Sequence, residues 1–499
     1  MAQATPDRMT APAVGWRRLT RPLAVAWSHR PVRQACFGSI AIELGSFTPA
    51  YLPQASPIWG WLRSAQLAGP AVKVVGTIIV MAGIWLLVDG WFKLRQPCPN
   101  EPKPWAVLLI WSLPLSFGPP IFSHDAYSYA AQGWLIHNHF NPYAVGPGIL
   151  PGSFADLVAA VWRDTSAPYG PLSLQISHGL VELSGYYATV AAELQRLPAV
   201  VGVVLIAAGL PRLARRLGVD PRRTAWFACL NPLLVIDFVG GAHNDALMMG
   251  LVVVALCLAA RGRWWWLLAA GVIGLAAAIK QPAFLAALVL PLLGAPPPDW
   301  RRPRQAAAAG WRLVASLALA VGVFVLCSWA CGLGFGWIHA LDVPGSVATA
   351  SPTSLIGESI QWVVNQTSGH AGVVGDRTYI RLAQGIGVIV GFVVTALIAV
   401  WVGRRQPLLA LSLSWLVIAA LGPALHSWYI LWGGLLLPLT PERRQLPRAA
   451  VVVTIGLLSY AAINLAWRNG LLAAGVATAA LLVWLTLRHE RRRSAVDPG

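Results

Sequence analysis

Residues 105–129, WAVLLIWSLPLSFGPPIFSHDAYSY, decide the fold, because a mostly apolar run leads directly into a carboxylate and a polar segment. A helix that crosses a bilayer needs roughly 20 predominantly apolar residues. We therefore interpret 105–122 as a membrane span. Asp125 then lies at the membrane surface, where a long polar loop begins.

Apolar runs of this kind recur along nearly the whole chain. With 57% hydrophobic and 11% charged residues among 499, the composition is far from that of a soluble globular domain. It predicts an all-α, polytopic integral membrane protein with about fourteen spans, surrounded by membrane lipids. The candidate spans lie near 34–52, 70–91, 105–122, 193–211, 224–240, 244–260, 264–280, 281–294, 313–333, 379–402, 407–424, 426–440, 449–466 and 470–487.

The net charge of +18 raises the question of a nucleic-acid partner. The basic residues, however, form clusters between apolar runs rather than one patch, which argues against nucleic acid. With the N-terminus inside, 29 of the 37 Lys and Arg residues fall on one side, as the positive-inside rule requires. This orientation predicts two cytoplasmic termini and two long external loops, 123–192 and 334–378.

The same count decides how the moderately apolar run 171–187 is interpreted. A span there would place the basic cluster Arg212–Arg223 outside, so we expect an amphipathic helix on the outer surface. The predicted organisation is a tail (1–33), an N-terminal membrane module (34–294), a cytoplasmic linker (295–312), a C-terminal membrane module (313–488) and a tail (489–499). The six cysteines show no metal-ligand spacing, and the absence of a Walker A motif argues against a nucleotide-driven pump.

Distinctive polar groups cluster at predicted outer ends of spans. Asp125 could act as a general base toward a sugar hydroxyl, or it could cap the following helix. The aromatic and polar segments Asn141–Tyr143 and Trp162–Pro171 suit a carbohydrate, although interfacial anchoring explains their rings equally well.

A second group belongs to the turn Gly240–Asp245 and to Lys280. The turn starts a helix, and amides at a helix N-terminus favour an anion such as phosphate, to which His243 or Asn244 could add donors. Helix capping by Asn244 or Asp245 is the alternative. Lys280 suits an anionic headgroup, with snorkelling to the interface as its alternative.

His426 lies at another outer helix end, although a lone histidine is more often structural. Asp125, Arg163, Asp245, Lys280 and His426 are thus all expected on one membrane face, around a cavity. A polyprenyl-phosphate sugar would fit there, with its chain in the bilayer, its phosphate near Lys280 and its sugar near Asp125. Weaker candidates are Arg196, Glu358, Arg377 and Arg468, and Glu43 within the first span has no evident partner.

An ordered set of short motifs resembles a known family. His124–Tyr129, Asn141–Tyr143, Trp162–Pro171, Gly240–Asp245 and Lys280–Pro282 are similar to the actinobacterial polyprenol-phosphate-mannose-dependent α-1,6-mannosyltransferases of lipomannan synthesis, in the GT-C superfamily. The resemblance covers roughly 105–300 clearly and extends further through topology and the element His426–Tyr429.

The resemblance implies an inverting transferase that moves mannose from a β-linked polyprenyl phosphate to a lipid-anchored α-1,6-mannan of lipomannan or lipoarabinomannan. Asp125 matches the catalytic aspartate. Many relatives carry two acidic residues here, whereas this chain has His124-Asp125-Ala126-Tyr127, so we expect no metal and no cofactor. The candidates for donor phosphate binding are Lys280, His243, Asn244 and Arg163; those for substrate binding are His124, Tyr127, Tyr129, Asp164, Tyr169, Asp245, His426, Trp428 and Tyr429.

Other functions stay open at this point. A related enzyme could use another lipid-linked sugar, such as arabinose, or another acceptor, such as a protein. A lipid-linked saccharide transporter would share the topology but would not need Asp125 as a base, and a scaffold protein would need neither Asp125 nor Lys280. Asp125→Asn therefore discriminates among these classes.

Overall fold

The computed structural model describes residues 13–47, 52–294, 296, 298–340, 343–346, 349, 351–367, 377–440 and 445–496. This part of the chain is helical, without strands. Its α-helices are α1 Ala13–Ser28, α2 Arg30–Ser46, α3 Pro57–Ser64, α4 Pro70–Lys93, α5 Pro104–Ser112, α6 Asp125–His137, α7 Ser153–Leu157, α8 Ala160–Arg163, α9 Pro171–Leu183, α10 Ala188–Leu194, α11 Arg196–Arg216, α12 Pro221–Thr224, α13 Asp245–Ala259, α14 Trp265–Ala277, α15 Phe284–Ala287, α16 Pro303–Ala330, α17 Pro352–Thr367, α18 Thr378–Trp401, α19 Pro407–Leu421, α20 Ile430–Gly434, α21 Gln445–Arg468 and α22 Leu472–Val496.

Irregular helical turns connect several of these helices. Two π-helical segments precede α13, at Ala225–Cys229 and Leu234–Gly240. The 3-10 turns are Pro114–Ser116, Pro147–Ile149, Gln281–Ala283, Leu290–Leu292, Gly336–Ala340, Val343–Ser346, Ser427–Tyr429 and Leu437–Leu439. Proline stands in the first turn of many helices, where its missing N–H costs no hydrogen bond.

Six helical segments among the described residues are long and apolar enough to cross a membrane, which supports a multi-pass membrane protein. They are Pro70–Lys93, Ala188–Arg216, Pro303–Ala330, Thr378–Trp401, Arg448–Arg468 and Leu472–Arg492. A seventh is counted if Leu234–Gly240 and Asp245–Ala259, bent by 114°, form one broken span. The predicted count of fourteen therefore stays a prediction.

Prolines explain why several predicted spans are not single long helices. The run 105–122 contains α5 and then a 3-10 turn that starts at Pro114. The run 281–294 divides into two 3-10 turns, with Pro282 and Pro291, around the short α15. Proline removes a backbone donor and clashes with the preceding turn, so apolar composition alone overestimates helix continuity.

Close helix packing fixes the position of α13, which carries Asp245. A Cβ atom placed on Gly250 of α13 would lie 2.7 Å from the Cα atom of Gly202 of α11. Small residues at such crossings let two backbones touch, as is common between membrane helices. The start of α13 is thereby held against a long spanning helix.

The predicted tails, linker and outer loops are partly helical in the structure. Residues 1–12 and 497–499, in the predicted tails, lie outside the described residues, whereas α1 and the end of α22 are helical there. Helix α16 begins at Pro303, inside the predicted linker. In the predicted outer loops, α9 occupies most of 171–187 and α17 lies within 334–378; their side of the membrane stays a prediction.

Candidate active site

Asp125 begins α6 and is held by its own segment. Its backbone N–H donates to the Ser123 hydroxyl, 3.1 Å away, and the Tyr129 hydroxyl donates to its Oδ2 at 3.4 Å. The carboxylate side chain keeps 21% of its surface exposed. Removal from water raises the pKa of Asp125 to about 6, an increase that the nearby Lys280 ammonium partly offsets. A carboxyl group of this kind can exchange a proton near neutral pH.

The sharp bend before α13 brings a second segment to Asp125. The backbone N–H of Ile121 and the Arg196 guanidinium both donate to the Gly240 carbonyl, at 3.1 and 3.3 Å. Arg196 also donates to the Val239 carbonyl at 3.3 Å. These bonds attach the end of the π-helical segment to the residues just before Asp125. The His243 ring then lies beside Asp125, with Nδ1 3.5 Å from Oδ2.

Glu43, for which the sequence offered no partner, lies under this bend. Its carboxylate is buried without a hydrogen bond among the described residues and packs against Gly118. Arg196 is 4% exposed and interacts electrostatically with Glu43 and Glu193. Because a buried guanidinium needs countercharge, these carboxylates support the arginine that fixes the bend.

Lys280 and Asp245 form a buried ion pair. The ammonium donates to both carboxylate oxygens, at 3.0 and 2.9 Å, and the Trp432 indole N–H donates to Oδ1 at 2.7 Å. The ammonium also lies over the ring of Tyr429, 4.5 Å from its centroid, with the Tyr169 ring at 5.8 Å. Asp245 is completely buried, so the pair and the surrounding rings balance a charge that would otherwise be very costly there.

Three stacked rings form another side of the site. The Trp428 indole lies between His426, at a centroid distance of 4.5 Å, and His243, at 3.6 Å. His243 is 1% exposed, and neither of its ring nitrogens has a hydrogen bond within the described part of the chain. Burial, together with the positive charge of Lys280, holds the pKa of His243 well below its usual value. His243 is therefore neutral beside Asp125.

These groups surround a cavity of about 510 Å³. Its polar end includes Asp125, Lys280, His426 and Tyr429. Its apolar lining includes Phe284, Leu285, Phe392 and Leu421. Backbone contact brings Tyr169 to this end, because the Gly170 N–H donates to the Ile279 carbonyl at 3.1 Å. One cavity thus combines a carboxylate, an ammonium and an apolar groove.

The candidate residues predicted from the sequence divide into three groups. Those that line the cavity are Asp125, Tyr169, Lys280, His426 and Tyr429. Those that contact a lining residue from behind are Tyr129, His243, Asp245 and Trp428. Those that the structure does not place at the cavity wall are His124, Tyr127, Arg163, Asp164 and Asn244.

The third group has other contacts. The Arg163 guanidinium donates to the carbonyls of Val158 and Asp156, 3.2 and 3.1 Å away. Tyr127 is packed in a separate apolar cluster, and the Asn244 amide donates to Ser173 at 3.0 Å. Their roles in substrate binding stay predictions, to which these contacts add no support.

Sequence reasoning missed several lining residues. Ser128 and Gln132 follow Asp125 at i+3 and i+7 on α6, so they share its helix face. Their Oγ and Oε1 atoms are buried without a partner among the described residues. This spacing was a signal that could have identified them. Trp432 gave no such local signal, since its contact with Asp245 joins distant parts of the chain.

Comparison with known proteins finds matches over most of the chain. Residues 32–295 match the family model "Alpha-(1->6)-mannopyranosyltransferase, N-terminal domain", and residues 354–489 match "MptB C-terminal domain". An alpha-(1->6)-mannopyranosyltransferase of Mycobacterium tuberculosis is 32% identical over 76% of this chain and 72% of its own. Alpha-(1->6)-mannopyranosyltransferase A of the same organism is 30% identical over 94% and 91%. Alpha-(1->6)-mannopyranosyltransferase B of Corynebacterium glutamicum is 28% identical over 71% and 64%. The chain therefore belongs to the alpha-(1->6)-mannopyranosyltransferase family.

Proposed function

We propose that this protein is an inverting GT-C mannosyltransferase that uses polyprenyl-phosphate mannose. Its acceptor would be the lipid-anchored α-1,6-mannan of lipomannan and lipoarabinomannan, and the distribution of basic residues favours a reaction on the external face. One observation carries the proposal: Asp125 and Lys280 line the same cavity, which is also lined by many apolar side chains. The names of the relatives supply the transferred sugar and the linkage.

An amphipathic donor would fit this cavity in one orientation. Its prenyl chain would lie along Phe284, Leu285 and Phe392, of which Phe392 is 69% exposed. Its phosphate would then meet the Lys280 ammonium, which has three N–H donors and gives two contacts to the single Asp245 carboxylate. His243 is less suited to phosphate binding than the sequence suggested, because it lies behind Asp125.

The chemistry follows from the opposite charges of Asp125 and Lys280, which would lie on either side of the bond that breaks. Asp125 accepts the proton of the acceptor 6-hydroxyl while that oxygen attacks the anomeric carbon. The bond from this carbon to the phosphate oxygen breaks on the opposite face, so a β-linked donor gives an α-linked product. The phosphate leaves with the bonding electrons, and Lys280 stabilises its charge.

Unpaired polar atoms near Asp125 suit the sugars. Ser128 and Gln132 line the cavity, and their Oγ and Oε1 atoms are buried without partners among the described residues. Buried polar atoms normally find a hydrogen bond, and sugar hydroxyls would provide one. Both residues lie on the same face of α6 as the proposed base.

The test is mannosyl transfer from synthetic polyprenyl-phosphate mannose to a short α-1,6-mannoside by purified protein, with donor binding measured in parallel. We expect wild type to transfer mannose and Asp125→Asn to lose about 10²-fold or more while binding donor at least as well. Asp156→Asn, which changes an exposed carboxylate outside the cavity wall, is the matched control. Failure of folded wild type with acceptors of several lengths would favour another donor sugar or a lipid-linked saccharide transporter.

A further inference from the structure

A second group of chemically reactive side chains lies away from the cavity, between α6 and α9. His137 ends α6, and His178 and Glu182 lie one turn apart on α9. Their ligand atoms, one from each residue, all lie within 4.8 Å of one another. The two helices meet closely there, since a Cβ atom on Gly133 would be 2.5 Å from the Ser177 carbonyl oxygen.

The hydrogen bonds around His178 fix which ring nitrogen carries its proton. The Gln175 amide NH₂ donates to the Cys331 carbonyl at 3.0 Å, which turns the amide oxygen toward His178. That oxygen is 3.4 Å from Nδ1 and can only accept. Nδ1 therefore carries the hydrogen, and the in-plane lone pair of the neutral ring lies on Nε2.

This tautomer leaves two acceptors facing each other. Nε2 of His178 is 3.5 Å from Oε1 of Glu182. A lone pair opposite a carboxylate oxygen is unfavourable unless a proton or a cation lies between them. His137 adds another imidazole to the same space, which favours a cation with three ligands over a single shared proton.

The surroundings also suit a bound ion. Trp134 stacks on the His137 ring with a centroid separation of 5.2 Å, and Tyr186 packs on the same ring at 4.6 Å. The Glu182 side chain is 54% exposed and that of His178 24%, so an ion can enter and water can complete its coordination. Two imidazoles and one carboxylate are ligands that Zn²⁺ takes with an open position. Gln175 supplies the outer hydrogen bond that orients a ligating histidine.

We propose that His137, His178 and Glu182 bind one divalent transition-metal ion, zinc by ligand preference, which fastens the C-terminal end of α6 to α9. The ion is structural and takes no part in sugar transfer, because none of the three residues lines the cavity. Asp125 begins the same helix, about three turns away. The ion would therefore steady the helix that carries Asp125.

The test uses the purified full-length protein after treatment with chelator and removal of the chelator. We expect one equivalent of Zn²⁺ to bind in a calorimetric titration, with X-ray absorption showing two imidazole nitrogens and oxygen ligands. Zn²⁺ should also raise the thermal unfolding midpoint. His178→Ala and Glu182→Gln should weaken binding at least about tenfold and abolish the rise in midpoint, and Gln175→Leu should weaken binding by roughly 10- to 100-fold.

His139→Asn is the matched control, because it removes an exposed histidine two residues from His137 and asparagine tolerates the left-handed backbone there. This variant should bind Zn²⁺ as wild type does. Absence of Zn²⁺ binding by wild type would refute the proposal, and unchanged binding in Glu182→Gln would place the ion elsewhere. Glu182 is largely exposed, so this variant keeps the test valid if His178→Ala fails to fold.

Discussion

Breaking the Asp245–Lys280 pair from one side should be far more damaging than removing both charges. Asp245 is fully buried, and the Lys280 side chain is only 11% exposed. Removing one partner of a buried pair typically costs about 3–5 kcal/mol, because the other charge is left uncompensated. We expect Asp245→Asn and Lys280→Met each to lower the free energy of unfolding by about 3 kcal/mol.

The double variant Asp245→Asn/Lys280→Met contains no uncompensated charge. We expect it to lose only about 1–2 kcal/mol, part of it the lost contact between the ammonium and the Tyr429 ring. The double-mutant cycle should therefore give a coupling energy of about 4–5 kcal/mol. Mannosyl transfer should be lost in all three variants, because each removes the charge arrangement that faces the donor phosphate.

Unfolding can be followed by tryptophan fluorescence in mixed micelles with increasing dodecyl sulfate. The exposed pair Asp299–Arg302, with an N–O distance of 3.1 Å, is the control cycle. Exposed pairs contribute little, so its coupling should be near zero. Additive losses in the Asp245/Lys280 cycle would refute the view that the two charges compensate each other.

Three further predictions concern catalysis. With the pKa of Asp125 raised to about 6, kcat/KM should fall about tenfold per pH unit below 6, because the base must be ionised. Tyr129→Phe removes a hydrogen-bond donor to the carboxylate, so the acid limb of the profile should move to higher pH. A profile that stays flat down to pH 5 would contradict Asp125 as the base. Chelator should leave the initial rate of transfer unchanged well below the unfolding midpoint, whereas loss of activity with rescue by Mn²⁺ would place a metal in the chemistry. Arg196→Gln should lower kcat more than it changes KM, because Arg196 holds the Val239–Gly240 backbone and does not bind the substrate. Arg196→Lys should recover part of the loss in kcat. If both variants instead lowered only the yield of folded protein, and to the same extent, the role of Arg196 would be purely structural.

Much of the candidate site could be predicted because its charged residues stand at the ends of apolar runs. Asp125, Asp245, Lys280 and His426 were each placed at an outer end by hydropathy and the distribution of basic residues. The structure brings Asp125, Lys280 and His426 to one cavity, with Asp245 directly behind. Membrane topology alone reduces the possible positions of such residues to one face.

The pairings within the site could not be predicted in this way. Lys280 meets Asp245 and Trp432 only because the chain bends by 114° before α13 and a 3-10 turn precedes α20. Arg196 was only a weak candidate in the sequence. Its hydrogen-bond partners in the structure are backbone carbonyls, which no side-chain pattern reveals. The prolines that interrupt the predicted spans are visible in the sequence, but apolar composition alone does not show that the helices break there.

The balance of charge at the cavity leads to a last prediction about donor binding. Lys280 is the one Lys or Arg among the described lining residues, and Asp245 already compensates it. When Asp125 is ionised, the site therefore carries a net negative charge and must accept an anionic phosphate. At a separation of about 8 Å and an effective dielectric constant of about 20, this repulsion amounts to ~2 kcal/mol, or roughly 30-fold in Kd.

Asp125→Asn should accordingly bind the donor more tightly than wild type at pH 8, by up to this factor. Wild-type affinity should rise as the pH falls through about 6, where Asp125 becomes protonated, and the difference should then disappear. Titration of a fluorescent polyprenyl-phosphate mannose analogue into both proteins between pH 5 and 8 measures this directly, with Asp156→Asn as the control for an exposed carboxylate outside the cavity wall. Equal affinity of wild type and Asp125→Asn at pH 8 would mean that the phosphate lies too far from Asp125 for the base and leaving-group positions proposed for this cavity.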